Sequence, residues 1–296
     1  MLGRRSVHMI HQIPPIKKCA AECLVPLDEC SWSEEEVPLG QRGVRFSWLY
    51  DFVSRIWADT DSFITGIWKH YRSTQRASMY GPWDNIPWPE MPEYPEDLVE
   101  TVRMTRDLVS NLIIPLTRPI SAPLYARIPI EHRGRPSVFI SHTWSSNAVA
   151  SAHGSLDIVL DHYRDSFVWI DFVCYNQHLV KDGNIAADMK SIISGIDQIA
   201  FILTTQPFFT RSWCLWEIVC GYKTGVKVKV HDQITRIKKK YWSSEASQMP
   251  PNFKSITELS ATKKSDEEKI FELLVSTFGS VSQADDYIRS ILAKEL

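Results

Sequence analysis

Long apolar runs are missing from this chain. No stretch reaches the roughly 18 residues that a membrane-crossing helix needs, so no membrane span is expected. Glycine is scarce, 12 in 296 residues, and none falls into a GxGxxG or P-loop pattern, which removes the usual signatures of a phosphate-cradling loop. Neither GxSxG nor HExxH occurs. An excess of one charge is missing too. Lys and Arg number 33 against 35 Asp and Glu, a net charge of -2 at pH 7, so nothing draws the chain generally to nucleic acid. The run RIKKK (236–240) reads as a solvated basic face. Of the six cysteines, Cys19, Cys23, Cys30, Cys174, Cys214 and Cys220, none follows a recognisable secretory leader, because MLGRRSVHMIHQIPPIKKC holds no apolar h-region. They read as reduced thiols of a cytoplasmic protein. His8, His11, Cys19, Cys23 and Cys30 fit no zinc-ligand spacing, and no metal is expected.

What is present points to a folded α/β protein. Apolar residues make up 44% and charged residues 23%, a balance that supports a buried core rather than disorder. Residues 1–45, with Pro14-Pro15 and the acidic run Glu34-Glu35-Glu36, read as weakly structured. Residues 46–130 read as a mainly helical, Trp- and Pro-rich region with its linker. Trp48, Leu49, Phe52, Val53 and Ile56 recur at helical spacing, and Phe63, Ile64, Ile67 and Trp68 extend the pattern. The segment 81–95 holds five prolines and reads as a loop or extended arm. A second helix is expected over 96–112, then a linker marked by Pro115, Pro119, Pro123 and Pro129.

From 135 to 296 the texture is that of a parallel sheet with flanking helices. SVFIS (137–141), FVWIDFV (167–173) and QIAFILT (198–204) read as buried strands, expected to be adjacent and parallel. The stretches 155–166 and 184–197 read as helices between them, and RSWCLWEIVCGYK as a helix ending at Gly221. VKVKVH (226–231) alternates like an edge strand. Ser265 and Glu268 make a capping-box pattern, and Ser282 is expected to open a last helix.

One residue breaks the pattern. Glu217 is the only acid in RSWCLWEIVCG, and a carboxylate in so apolar a segment needs a partner, a cleft or a task. In open parallel sheets ligands bind beyond the carboxyl ends of the strands. Read off the sequence, those ends present Ser141, His142 and Trp144 after the first strand, Asp171, Asn176 and Gln177 after the second, and Thr204–Gln206 after the third. Glu217 stands about two turns into the next helix, within reach of the same edge. The polar loop Cys174–Asn184 is expected to form a mobile flap that turns Asp171, Asn176 and Gln177 toward the cleft. Duller roles fit some of these residues: Asp171 as a turn cap, Arg211 in a surface ion pair, Trp213 and Trp216 as core.

In this order the motifs resemble the Toll/interleukin-1 receptor (TIR) domain. SVFISHTW resembles its first strand box, FVWID its second strand with the terminal acid, and DGNIAADMKSII the Gly-x-x-Ile entry into its second helix. RSWCLWEI is similar to the S-x-W-C-x-x-E-L signature of its third helix, the most specific of the four. SHTW stands where the family has SY or SF, the loop Asp171–Gly183 is longer than usual, and WIDFVCYNQ resembles the WIDALCINQ stretch of fungal heterokaryon-incompatibility (HET) domains. The resemblance covers about residues 135–230 well and continues more weakly to 296.

It implies a flavodoxin-like fold, self-association through the TIR-like domain, and a signalling or defence role. It also implies one of two functions. Many members that keep the third-helix glutamate cleave NAD+ at the nicotinamide glycosidic bond, which would make NAD+ the substrate, with no cofactor, and Glu217 the catalytic carboxylate. Other members are interaction modules without turnover. The chemistry suits one acid: breaking the N-glycosidic bond builds positive charge on the ribose, a fixed carboxylate stabilises it, and nicotinamide leaves without help from a strong acid.

Overall fold

The apolar runs SVFIS and QIAFIL form strands because both alternating sets of side chains find cover. The computed structural model describes residues 20, 22–30, 32, 33, 36–56, 105–144, 155–179, 185–203, 211–232, 253–261 and 264–295. The extension of the first helix to Trp68, the proline-rich stretch 81–95, Thr204–Gln206, loop residues 180–184 and the basic run 236–240 lie outside them.

Six strands form one mixed sheet: β1 (Gly43–Arg45), β2 (Arg133–Gly134), β3 (Val138–Ser141), β4 (Phe167–Trp169), β5 (Gln198–Leu203) and β6 (Lys227–Asp232), in the order β2-β1-β4-β3-β5-β6. β4, β3, β5 and β6 are parallel, with Phe139 opposite both Trp169 and Ile199. β1 runs antiparallel to β2 and β4. The three expected strands are therefore adjacent and parallel, and VKVKVH lies at the sheet edge. The second strand is shorter than expected. It stops at Trp169, and residues 171–174 turn into a short helix whose Val173 and Cys174 N–H groups bond back to the Ile170 carbonyl. Phe172, Val173 and Cys174 remain buried, so the apolar run continues although the strand does not; periodicity alone does not separate a short buried helix from a buried strand.

Among the described residues the main helices in chain order are α1 (residues 46–56), α2 (Thr105–Leu108 and Ile114–Thr117, joined by a π turn at Val109–Ile113), α3 (Ser155–Tyr163), α4 (Asp171–Cys174), α5 (Ile185–Ser194), α6 (Ser212–Thr224), α7 (Lys264–Phe278) and α8 (Val281–Glu295). Both faces of the sheet are covered. Tyr163 of α3 bonds to Gln198 and His231 on one face, while α6 lies on Ile199 and Val228 of the other. α2 passes through Pro115, where a linker was expected. The proline ring crowds the carbonyl four residues back, at Asn111, and that position falls in the π turn, which lets the helix continue.

Three helix-end expectations are corrected. α6 runs past Gly221 to Thr224 and is capped by Gly225, whose φ of 73° is left-handed. Gly221 serves close packing instead: a Cβ there would stand 2.5 Å from Ile199 Cδ1. α7 already includes Lys264, so Ser265 is inside the helix rather than at its cap. The cap of α8 is Ser280, whose Oγ accepts the Gln283 N–H at 3.2 Å, not Ser282.

The described part of the N-terminal third is built into this core. Ala20, Leu24, Val44, Phe46, Leu49, Phe52, Val53 and Ile56 are buried in the same cluster as the sheet. Within the first 45 residues, expected to be weakly structured, the Leu39 carbonyl accepts the Trp169 indole N–H at 3.1 Å, and the Arg42 guanidinium donates to the carbonyls of Val37 and Cys174. Trp48 stacks on Phe52, with ring centres 5.1 Å apart. The described part of the aromatic segment thus faces inward.

Gly43 is where β1 meets β2. An added Cβ would lie 2.6 Å from the Gly134 carbonyl oxygen and 2.7 Å from the Pro136 nitrogen, both backbone atoms. Gly43→Ala is expected to lower stability by about 1–3 kcal/mol, the usual cost of overpacking. An unchanged denaturation midpoint would show that β1 shifts freely against β2.

Candidate functional site

The strand order creates a crevice. The chain leaves β3 toward β4 on one side and returns to β5 on the other, so the connections after β3 and β5 diverge at the carboxyl edge. Ser141 is the last residue of β3 and shares a sheet face with Phe139, the face covered by α6. Glu217, in the second turn of α6, points back to it, and the Ser141 hydroxyl donates to Glu217 Oε2. The two residues are 76 positions apart in sequence.

A cleft of about 180 Å³ opens above this pair. His142, Thr143 and Trp144 supply one wall, Asp171, Tyr175 and Gln177 a second, and Trp213, Cys214 and Glu217 a third. Ile185 and Met189, four apart on α5, add an apolar side. Arg211 and Asp266 complete the rim.

Several of the polar groups are positioned by a neighbour. Asp171 Oδ2 accepts the Trp144 indole N–H at 2.6 Å, and its Oδ1 accepts the backbone N–H of Phe172 at 2.7 Å. Gln177 donates to the Asp171 carbonyl at 3.0 Å. The Tyr175 hydroxyl donates to Asp188 at 3.0 Å, and the Trp213 indole to Asp266 at 3.3 Å. Asn176, expected in the cleft, does not line it. It is buried, donates to the Ser121 carbonyl at 2.8 Å and accepts the His178 N–H, so it ties the loop to the turn after α2. Of the other residues expected at the site, Ser141, His142, Trp144, Asp171, Gln177 and Glu217 are brought together.

Burial sets the electrostatics. Glu217 is 9% exposed. Desolvation pushes its carboxyl up to about 8; the Ser141 hydroxyl opposes this, and the negative charge of Asp171 adds to it. Burial likewise lowers the His142 pKa, against the pull of Asp171 and the Ile140 carbonyl, so the ring is neutral. The Cys174 thiol is pushed up to about 12 and the Cys214 thiol well above its ordinary value, so neither supplies a thiolate nucleophile. Lys223, a conceivable partner for Glu217, lies instead over the Phe278 and Tyr287 rings. Among the described residues no cluster of three His, Cys, Asp or Glu is placed to hold a metal, and no helix is long and apolar enough to cross a membrane.

Sequence reasoning missed Trp213 and Asp266 as cleft residues, while Tyr175 falls in the loop expected to cover the cleft. Trp213 had a legible signal, since it precedes Glu217 by four positions and shares its helix face. Asp266 had none, because only the packing of α7 brings it to the rim.

Ser141→Ala removes the one influence that holds the Glu217 pKa down. The carboxyl is then expected to titrate higher still, which carbon-13 NMR of the carboxyl group reads directly. An unmoved titration would show that the hydroxyl does not bond to the acid in solution.

No family model, curated protein or solved structure matches this chain. The resemblance to TIR domains therefore rests on the motif residues themselves.

Proposed function

We propose that this cleft cleaves the nicotinamide glycosidic bond of NAD+, with Glu217 as the catalytic carboxylate. The observation that carries the reading is the buried Ser141–Glu217 pair at the carboxyl edge of a parallel sheet. The parallel strands lie in the spatial order 2-1-3-4, the order of flavodoxin-like sheets, and the cleft opens at their switch point. Both features support a TIR-like fold.

A cleft of about 180 Å³ is close to the roughly 150 Å³ that encloses one benzene ring. It suits the nicotinamide ring, with the rest of the dinucleotide outside. A cationic pyridinium entering the cleft favours the ionised form of Glu217. Ser141 fixes one carboxylate oxygen and leaves the other for the ribose. The C1′–N bond then breaks with its electron pair going to nicotinamide, and the carboxylate offsets the charge that develops on the sugar. Water adds at C1′ and loses a proton, giving ADP-ribose.

Purified protein incubated with NAD+, with and without a crowding agent, is expected to release nicotinamide. The crowding arm tests self-association through the TIR-like domain, which this reading assigns to signalling or defence in the cytoplasm. No release under either condition sinks the proposal. The second reading, an interaction module, is favoured by one observation: Glu217 already has a partner in Ser141 and is held largely protonated at neutral pH. The two readings diverge at Glu217→Gln.

A further inference from the structure

Two hydrogen-bond acceptors converge at one side of the cleft. His142 is 8% exposed, and its Nε2 is buried with no hydrogen-bond partner among the described residues. It lies 4.0 Å from Asp171 Oδ1, beyond the roughly 3.2 Å limit of a direct bond. An unpaired buried polar atom is costly and calls for an explanation. Burial favours the neutral ring, and with its one proton on Nδ1, as a docked donor requires, Nε2 presents a lone pair. Asp171 does not swing over to meet it, because Trp144 and the Phe172 N–H hold its two oxygens.

Two fixed acceptors 4.0 Å apart suit a single donor atom that carries two hydrogens. An atom about 2.9 Å from each would see them at an angle of roughly 90°. A primary amide, its two hydrogens about 120° apart, meets this need with each bond bent by roughly 15° and, unlike a tetrahedral ammonium, is flat enough to lie beside the Trp144 wall. A carboxylate fails it twice, having no hydrogen to give and adding a negative charge next to Asp171.

We propose that the gap between His142 Nε2 and Asp171 Oδ1 is a primary-amide subsite, filled by the carboxamide of a pyridine ring whose –NH2 donates one hydrogen to each acceptor. This rests on the NAD+ reading and extends it: the cleft selects the amidated dinucleotide over its deamidated, nicotinic acid form.

The test is the binding of free nicotinamide and free nicotinic acid to the full chain, followed by ligand-observed NMR at neutral pH. Nicotinamide is expected to bind at least roughly tenfold tighter, the equivalent of one hydrogen bond to a charged group. His142→Phe keeps a flat ring but removes the acceptor, and is expected to lower nicotinamide affinity while leaving nicotinic acid unchanged. Asp171→Asn, whose amide donates to a carboxylate, is expected to raise nicotinic acid binding. Equal affinities in the unmodified protein, or binding of neither ring, overturn the proposal without need of a variant. A preference that survives both substitutions also overturns it and leaves the gap to a structural water only. Cleavage of NAD+ and its deamidated form at equal rates removes the subsite but keeps the activity. A nicotinamide preference without NAD+ cleavage removes the activity but keeps the subsite.

Discussion

Glu217→Gln is expected to slow NAD+ cleavage by about 10²–10³, the usual cost of losing one preorganised charge-stabilising group, and to make the protein more stable. The substitution keeps the volume and removes only the ionisation. The folded carboxyl titrates at about 8, while in the unfolded chain it titrates near the ordinary value of about 4.3. Between those limits the folded state keeps a proton that the unfolded state has lost. The stability linked to this proton is complete below pH ~4 and falls as pH rises through about 8, a change on the order of 5 kcal/mol. Gln carries no such titration. At pH 7 the variant is therefore expected to exceed the parent by about 3–4 kcal/mol, and its stability is expected to lose this part of the decline between pH 5 and 8. Denaturation midpoints at several pH values, measured beside NAD+ consumption, check both halves. Full turnover in the variant ends the catalytic assignment. No turnover in either protein favours the interaction module.

A chain beginning near residue 130 is expected not to fold. The motifs lie beyond that point, yet β1 (Gly43–Arg45) pairs with β4 and closes that side of the parallel strands. Truncation exposes the backbone edge of β4, a template for aggregation. It also removes Phe46, Leu49, Phe52, Ile56, Leu112 and Leu124 from the core. At about 1.5–3 kcal/mol for each large apolar side chain buried, their sum rivals the 5–15 kcal/mol that typically holds a whole domain together. Circular dichroism melting and size exclusion of the fragment decide the matter. A monomeric fragment with a cooperative melt would show that the N-terminal third is dispensable.

The starts of the parallel strands β3, β4 and β5, the helices between them and the oddity of Glu217 among its neighbours are all legible along the chain. These are local matters. A strand buried on both faces must be apolar at consecutive positions, an amphipathic helix must repeat every three to four, and an acid among tryptophans and cysteines shows against its immediate neighbours. The same local signals placed Ser141, His142, Trp144 and Asp171 near one edge, because the ends of parallel strands share an edge. Tertiary structure decided the rest. Gly221 looks like a helix end in sequence and is a contact point for Ile199. Asn176 reads as a cleft residue, yet its amide is taken by the Ser121 carbonyl. Residue 44 lies beside residue 168, and Asp266 closes a cleft whose other lining residues are 49 (Glu217) to 124 (His142) positions away. Periodicity records how a segment meets its surroundings, buried or exposed, but not which distant segment supplies them. The sheet neighbour of β4, the hydroxyl that meets Glu217 and the gap between His142 and Asp171 are all contacts of that second kind, fixed only when the whole core packs.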